Sequence, residues 1–287
     1  TSIINAAGGN ALGENKLLQI VVFSLFFGVA LGSLGKAGQA LQDMIEQLSH
    51  VMIKITGYVM VFAPFAVFAA MASAVASQGL GILLTYFKFM GSFYLALTVL
   101  WLLLVLVGYI FLHKRIFKLL REIKEAFFLS FATASSEAAY PKILDALDRF
   151  GVSRKISSFV MPLGYSFNLD GSMMYCAFAS IFIAQVYGID MPVGTQIAML
   201  LTLMVTSKGM AGIPSASLVV IAGTLAQFGL PVEGMVLILG IDRFLDMGRS
   251  ATNAVGNSIA SAVIGKWEGE LLSEEDAEIR RAVIKAD

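Results

Sequence analysis

Charged residues, cysteine and histidine are all scarce in this sequence, and each shortage excludes a class of protein. Asp, Glu, Lys and Arg make up 14% of the 287 residues, and 57% of the residues are apolar. A soluble domain carries about 25% charged residues, so this composition excludes an ordinary cytosolic enzyme. The single cysteine, Cys176, excludes a disulfide framework and any multi-cysteine metal site. The two histidines, His50 and His113, are too far apart in sequence for an HExxH zinc motif.

The formal net charge is zero, but the charges are segregated along the chain. Residues 267–287 hold seven acidic and three basic residues, which leaves 17 basic and 13 acidic residues in 1–266, a net charge of +4 (17 − 13). We therefore expect an acidic, solvated tail over residues 266–287 and a membrane-embedded body with basic loops. The balanced total gives no indication of a nucleic-acid partner.

Several apolar runs are long enough to cross a bilayer, which takes about 20 residues of helix. No charge occurs over the 19 residues 17–35, the 33 residues 55–87 or the 24 residues 89–112. Because Pro64 and Gly79 lie inside the run 55–87, we interpret it as one helix plus a turn. The sequence begins at Thr1 without a methionine or a signal peptide, so we expect a truncated or processed chain.

A short apolar segment between two basic flanks predicts a re-entrant hairpin. Residues 126–136 carry no charge, whereas residues 113–124 carry five bases and one acid. The segment is too short to cross, and basic flanks favour the cytoplasm. We therefore expect the chain to enter and leave from the cytoplasmic side, with the tip buried in protein or beside a water-filled cavity.

Two further interruptions suggest a repeated plan. Polar and glycine residues at 166–172, including Asp170, break the apolar run 156–189, and residues 207–215 break the run 191–231. Lys208, in the second interruption, is expected to reach the membrane interface or pair with an acid. Residues 126–190 and 191–265 thus resemble two copies of one plan in opposite orientation, as in secondary transporters. The predicted fold class is an all-α polytopic membrane protein with an inverted-repeat core, two re-entrant hairpins and broken helices.

One face of the last apolar segment is polar. At about 100° per residue, five side chains fall within an arc of roughly 80°, with Ser250 at its edge: Asp242, Asp246, Arg249, Asn253 and Asn257. A charge at membrane depth costs at least ~2.5–3.5 kcal/mol, so Asp246 and Arg249 need partners. They could neutralise each other as an i, i+3 pair. Alternatively, Arg249 could bind a carboxylate and Asp246 an ammonium group, which predicts an acidic amino acid as the ligand.

Two further carboxylates have two interpretations each. Asp170 could cap a half-helix. Alternatively, it could bind a cation together with Asn168, Asn253 and freed backbone carbonyls. We expect Asp170 to line a cation pathway. Glu137, at the tip of the first hairpin, is a candidate proton carrier if it is buried, or it faces cytoplasmic water.

Four ordered motifs resemble the dicarboxylate/amino acid:cation symporter family, the glutamate transporters. They are residues 132–137 (ATASSE), 164–172 (GYSFNLDGS), 207–214 (SKGMAGIP) and 242–253 (DRFLDMGRSATN). The resemblance covers most of the chain and implies a homotrimer whose transport domains move as elevators against a fixed scaffold.

The resemblance also implies domain limits. Residues 1–83 would be the later part of the scaffold and trimerisation region, residues 84–265 the transport domain, and residues 266–287 a cytoplasmic tail. The transport domain would consist of a helix (84–113), a cytoplasmic-side hairpin (115–142), a broken helix (152–188), an extracellular-side hairpin (191–228) and a substrate-binding helix (231–265).

By the same resemblance, Arg249 would bind the substrate's side-chain carboxylate and Asp246 its amino group. The implied substrate-binding set is Ser135, Ser136, Ser172, Gly212, Ile213, Asp246, Arg249, Ser250 and Asn253. The implied cation-coupling set is Gly164, Ser166, Asn168, Asp170, Ser207, Asn253 and Asn257.

Differences between subgroups of this family refine the expected substrate and coupling ion. Pure C4-dicarboxylate carriers lack an aspartate at the position of Asp246, and neutral amino acid carriers lack an arginine at that of Arg249. Sodium-coupled members carry an aspartate where this chain has Asn257, and Ser172 stands where threonine is usual. The sequence therefore looks closest to bacterial proton-coupled glutamate/aspartate symporters.

The predicted function is a secondary active symporter that imports L-glutamate or L-aspartate with protons, or with sodium. We expect a multi-pass protein of the bacterial plasma (inner) membrane with a cytoplasmic C-terminus, no enzymatic activity and no cofactor beyond the co-transported cations. A sodium-coupled symporter of C4-dicarboxylates or acidic amino acids is the main alternative. An ion channel could use similar hairpins. An intramembrane enzyme is disfavoured because both histidines lie at the ends of spans.

Overall fold

The computed structural model describes residues 17–210 and 215–279, and the regular structure in these ranges is helical. We number the α-helices in chain order. They are α1 (Leu17–Ser33), α2 (Gln39–Met60), α3 (Ala63–Gln78), α4 (Gly81–Leu112), α5 (Arg115–Glu122), α6 (Lys124–Thr133), α7 (Tyr140–Phe150), α8 (Arg154–Phe167), α9 (Asp170–Val186), α10 (Val193–Thr206), α11 (Ser217–Gln227), α12 (Met235–Leu239) and α13 (Asp242–Trp267).

The interpretation of residues 55–87 as one helix plus a turn is wrong. This run contains the end of α2, the whole of α3 and the start of α4. Pro64 lies in the first turn of α3, where its missing N–H is not needed. Gly79 ends α3 with φ +73°, a conformation that favours glycine. Pro64 and Gly79 therefore mark the two ends of one helix, α3.

Helix α4 is 32 residues long and therefore about 48 Å in length. Its buried residues recur every three or four positions from Ile82 through Tyr86, Phe89 and Phe93 to Leu97, so one stripe packs inward. Within the described residues, two helices are long and apolar enough to cross a membrane: Gly81–Leu112, and Arg154–Val186 counted across its interruption.

Two pairs of helices are each joined by a short tip. The first helix pair consists of α6 and α7 with the tip at 134–139, where Ala134 adopts φ +52° and a 3-10 turn follows at Glu137–Ala139. The hairpin predicted at 115–142 ends inside α7, which continues to Phe150. The second helix pair consists of α10 and α11 with the tip at 207–216. Gly212 and Ile213 fall at 211–214, outside the described residues.

Between these pairs the chain forms two half-helices, α8 and α9. Asn168 and Leu169 separate them and have non-helical backbone angles, within the interruption that the sequence indicates at 166–172. The break is short, because the N–H of Asn168 still donates to the carbonyl of Gly164 in α8 at 2.7 Å, and the carbonyl of Leu169 accepts the N–H of Met173 in α9 at 2.9 Å.

The single helix predicted over 231–265 is wrong. A 3-10 turn at Val232–Gly234 and the short helix α12 precede a break at Gly240, and α13 begins only at Asp242. A β-carbon at Gly240 would lie 2.7 Å from the sulfur of Met71, so α3 packs directly against this break. As a consequence Asp242 belongs to the first turn of α13 rather than to the middle of a helix.

Helix α13 is the centre of the fold and packs against α4, α6, α8 and α9. Close approach depends on glycine: a β-carbon at Gly248 would lie 2.8 Å from Cδ1 of Leu97 on α4. Small residues permit such close packing between helices in a membrane. The shared hydrophobic core consists of buried residues from Ile82 to Val263.

Candidate functional site

The polar face of α13 lies inside the protein. Asp246, Arg249 and Asn253 are fully buried, and Asp242 and Asn257 are at most 4% exposed. A buried charge is retained only if it is paired or hydrogen-bonded. The surrounding helices must therefore supply the partners.

Asp246 and Arg249 pair with each other, with Nη2 of Arg249 2.5 Å from Oδ1 of Asp246. Arg249 also donates from Nη1 to the hydroxyl of Ser172 on α9 at 2.7 Å, and Asn253 donates to the same oxygen at 2.9 Å. Ser250 donates to Oδ1 of Asp246 at 3.3 Å. The mutual-pairing alternative is thus what the structure contains. Since Ser172 accepts both bonds, its proton remains available to a ligand oxygen.

The second helix pair closes over this cluster through Ser215. Its backbone N–H donates to Oδ2 of Asp246 at 2.7 Å, and its hydroxyl donates to Oδ2 of Asp242 at 2.6 Å. Tyr175 on α9 donates to the other oxygen of Asp242 at 2.7 Å. Asp242, Tyr175 and Ser215 were absent from the predicted site. Asp242 could have been included, because it lies one turn before Asp246 on the same polar face.

The tip of the first helix pair brings Ser135 and Ser136 to the buried side of the molecule. The backbone carbonyl of Ser136 accepts a hydrogen bond from the hydroxyl of Tyr165 on α8 at 2.8 Å. The Ser136 hydroxyl is buried and has no partner among the described residues. Such a group usually has a partner in the functional state, for example water or a ligand. Glu137 follows directly and is half-buried.

The residues predicted to bind cations fall into two groups. Asn168 donates to Oδ1 of Asn257 at 3.1 Å, and Oδ1 of Asn253 accepts the backbone N–H of Gly171 at 2.9 Å. The N-terminus of α9 is thus capped by Asn253 of another helix. Gly164 lies directly against Asn257, because a β-carbon there would lie 2.5 Å from Oδ1 of that asparagine.

The other group is tied to its own helices. Ser166 is exposed and donates to the carbonyl of Pro162 at 3.1 Å. Ser207 is buried, and its hydroxyl donates to the carbonyl of Met204 at 3.5 Å. These two side chains therefore do not join the cluster on α13 in this conformation. Asp170 is half-buried and is the first residue of α9, where a negative charge is favourable.

In the described residues, an all-helical fold, two helices long enough to span a bilayer and a buried charged cluster between interrupted helices form an arrangement that is typical of membrane transporters. The chain matches the Sodium:dicarboxylate symporter family over residues 1–267. It therefore belongs to that family, and the resemblance noted from the four motifs is confirmed.

Several bacterial transport proteins are similar to this chain. It is 43% identical over 266 residues to the proton/sodium-glutamate symport protein of Geobacillus stearothermophilus, covering 92% of this chain and 63% of that protein. It is 42% identical over 267 residues to the proton/glutamate-aspartate symporter of Escherichia coli K12 (90% and 59% covered). A C4-dicarboxylate transport protein of Polaromonas naphthalenivorans is 41% identical over 273 residues (94% and 60% covered). The chain thus spans less than two thirds of the length of these relatives.

Proposed function

We propose that this chain belongs to a secondary active symporter that imports L-glutamate or L-aspartate together with protons across a bacterial inner membrane. The observation that carries the proposal is the fully buried pair of Asp246 and Arg249, which Ser215 at the second tip contacts through its backbone N–H. Relatives named as glutamate or glutamate-aspartate symporters support the same substrate class.

Substrate recognition would be an exchange of ion pairs. Arg249 would move its guanidinium from Asp246 to the side-chain carboxylate of the substrate, which its planar geometry matches. Asp246 would then receive the substrate ammonium group in place of Arg249. Ser172, Ser250 and Asn253 would bind the remaining polar atoms, and the Ser136 hydroxyl would gain a partner. Gly212 and Ile213 are proposed to close the site from the second tip.

The mechanism would be of the elevator type in a homotrimer, with residues 84–265 as the moving domain and residues 1–83 in the scaffold. The shared core supports this division, because among the described side chains its buried residues begin at Ile82 and end at Val263, with the partly buried Met71 and Val75 of α3 packed against it. The two helix pairs would be re-entrant hairpins, the first open to the cytoplasm and the second to the outside. The acidic tail would then be cytoplasmic.

Protons are the proposed coupling ion, with Glu137 as their carrier. Asn257 supports protons over sodium, because a neutral amide there binds a cation less strongly than a carboxylate would. Coupling to sodium remains the alternative, with Gly164, Ser166, Asn168, Asp170, Ser207, Asn253 and Asn257 around the ion.

Uptake of labelled glutamate into proteoliposomes tests both substrate and ion. With the intact protein, an imposed proton gradient without sodium should drive accumulation, and excess unlabelled glutamate or aspartate should compete more strongly than succinate. Flux that follows only the sodium gradient would contradict the proton assignment. Stronger competition by succinate would favour the C4-dicarboxylate function, which the name of the Polaromonas relative suggests. Saturable counterflow would distinguish a carrier from a channel.

A further inference from the structure

Lys208 joins the second helix pair to the broken helix through a backbone carbonyl. Its ammonium nitrogen donates to the carbonyl oxygen of Phe167 at 2.5 Å. Phe167 is the last residue of α8, and Lys208 lies in the 3-10 turn Ser207–Gly209 that follows α10. Lys208 is half-buried and forms no ion pair with a carboxylate of the described ranges. Of the two alternatives expected for Lys208, pairing with an acid is therefore not the one found among the described residues.

The environment of the Lys208 ammonium is one that attracts a cation. The C-terminal end of a helix is partially negative, and its last carbonyls have no partner within the helix. Here the chain is also non-helical at Asn168 and Leu169, directly after Phe167. The carboxylate of Asp170, the first residue of α9, follows three positions after Phe167. In transporters, unwound backbone and half-helix C-termini of this kind coordinate sodium.

A sodium ion and the Lys208 ammonium cannot both occupy this position. The Phe167 carbonyl is already bonded to the ammonium, and a second positive charge at contact distance would be repelled. Unlike a bound ion, the ammonium group is attached to the chain. It therefore travels with the second helix pair through the whole cycle and is never released.

We propose that Lys208 is a built-in cation that replaces a co-transported sodium ion at the junction of α8 and the second helix pair. This junction then contributes no sodium to the transport stoichiometry. The inference rests on the proposed symport function. It specifies one position in the protein at which transport requires no bound sodium ion.

The test removes the positive charge of Lys208 and measures whether a sodium ion then binds in its place. In the intact protein, Lys208→Met removes the ammonium, and Lys208→Arg keeps a positive charge. Lys266→Met is the matched control, because Lys266 also donates at 2.5 Å to a backbone carbonyl near a helix end, that of Phe111 on α4. The melting temperature of each purified protein is measured in sodium chloride and in choline chloride at equal ionic strength.

Lys208→Met should gain a sodium-specific rise in melting temperature of roughly 2–4 °C beyond that of the wild type, as expected when a new ligand binds the folded state. In proteoliposomes its glutamate uptake should fall in choline and recover in sodium. Lys208→Arg and Lys266→Met should show no such gain. If Lys208→Met is too unstable to purify, Lys208→Gln should show the same gain.

The inference is overturned if neither uncharged variant responds to sodium more than the wild type, or if Lys266→Met responds equally. Its failure is distinguishable from failure of the proposed function. If the wild type takes up no glutamate, the proposed function is wrong, whereas the melting temperatures still decide whether sodium replaces Lys208.

Discussion

Arg249 and Asp246 depend on each other because both are fully buried on one helix. Removing one member of such a pair leaves an uncompensated charge, whereas removing both can be nearly neutral. Loss of glutamate binding in a single variant could therefore reflect unfolding as well as lost recognition. The two effects can be separated with a double variant.

We expect Arg249→Met to lower the free energy of unfolding by about 3–5 kcal/mol, because Asp246 is left buried without its guanidinium partner. The double variant Asp246→Asn with Arg249→Met should recover most of that loss. Glutamate should stabilise neither protein, since the carboxylate ligand is missing from both. Melting curves with and without glutamate give both quantities, and glutamate stabilisation of the double variant would contradict the role proposed for Arg249.

Ser215 is the described residue that ties the second tip to both aspartates of α13. Ser215→Ala deletes the bond from its hydroxyl to Asp242 and keeps the backbone bond to Asp246. A bond to a charged group contributes about 1.5–3 kcal/mol, so the closed tip should open more often and glutamate should dissociate faster.

The dissociation rate of labelled glutamate measures this effect. Ser217→Ala is the matched control, because the Ser217 hydroxyl is also buried but has no partner in the described part of the chain. An equal increase of the rate in both variants would show that the bond to Asp242 does not hold the tip closed.

At the scale of elements, the residues after α13 fold back onto the basic helix α5. Lys118 lies 2.7 Å from Glu274 and 3.5 Å from Glu278. The backbone is tied as well, since the N–H of Leu272 donates to the carbonyl of Gly151 at 2.9 Å. The hydrogen bond and charge of Lys118 lower the pKa of Glu274, and Glu274 in turn raises the pKa of Lys118. These groups are exposed, so salt screens their attraction.

The directions of these pKa shifts predict a pH window for docking of the tail. A lowered carboxyl pKa contributes stability above the unfolded value, and that contribution is lost as the pH falls through the folded value. A raised lysine pKa contributes below the unfolded value, and that contribution is lost as the pH rises through the folded value. The tail should therefore be docked near neutral pH and should be released at acidic pH and at high salt.

Hydrogen exchange of the Leu272 amide measures this docking. Glu274→Gln should lower the protection factor of this amide at neutral pH to the value that the wild type reaches in acid, where the protection factor is the intrinsic exchange rate divided by the observed rate at the same pH. Glu275→Gln is the control, because Glu275 forms no ion pair with a described residue. Equal exchange in all three proteins would show that the backbone bonds alone hold the tail.

At the scale of the whole molecule, the ion pairs between described residues lie at two places. One is the buried cluster on α13. The other is the end of the bundle where α5, α7 and the tail meet, which holds the ion pairs Arg149–Glu122, Arg154–Asp148 and Lys118–Glu274. The net charge of zero hides this arrangement, because the acids of the tail neutralise bases from other parts of the chain. This distribution supports the proposed orientation, with the basic end in the cytoplasm.

The sequence determined those features that depend on short-range pattern. Charge-free runs predicted helices of membrane length, and a period of 3.6 residues placed the aspartates, the arginine and the asparagines of α13 on one face. Glycine and polar clusters indicated where helices are interrupted. The same short-range evidence did not predict the breaks at residues 61–62 and at Gly240. An apolar run has the same composition whether one helix or two helices cover it.

Only the tertiary structure decided which of these groups meet. Tyr175 reaches Asp242 over 67 positions of sequence, Asn253 caps Gly171 over 82, and Lys208 reaches Phe167 over 41. No periodicity carries that information, because such contacts depend on how closely α13 packs against α9 and on where the two tips fold in. The scarce charges could be counted from the sequence, but their partners follow from packing.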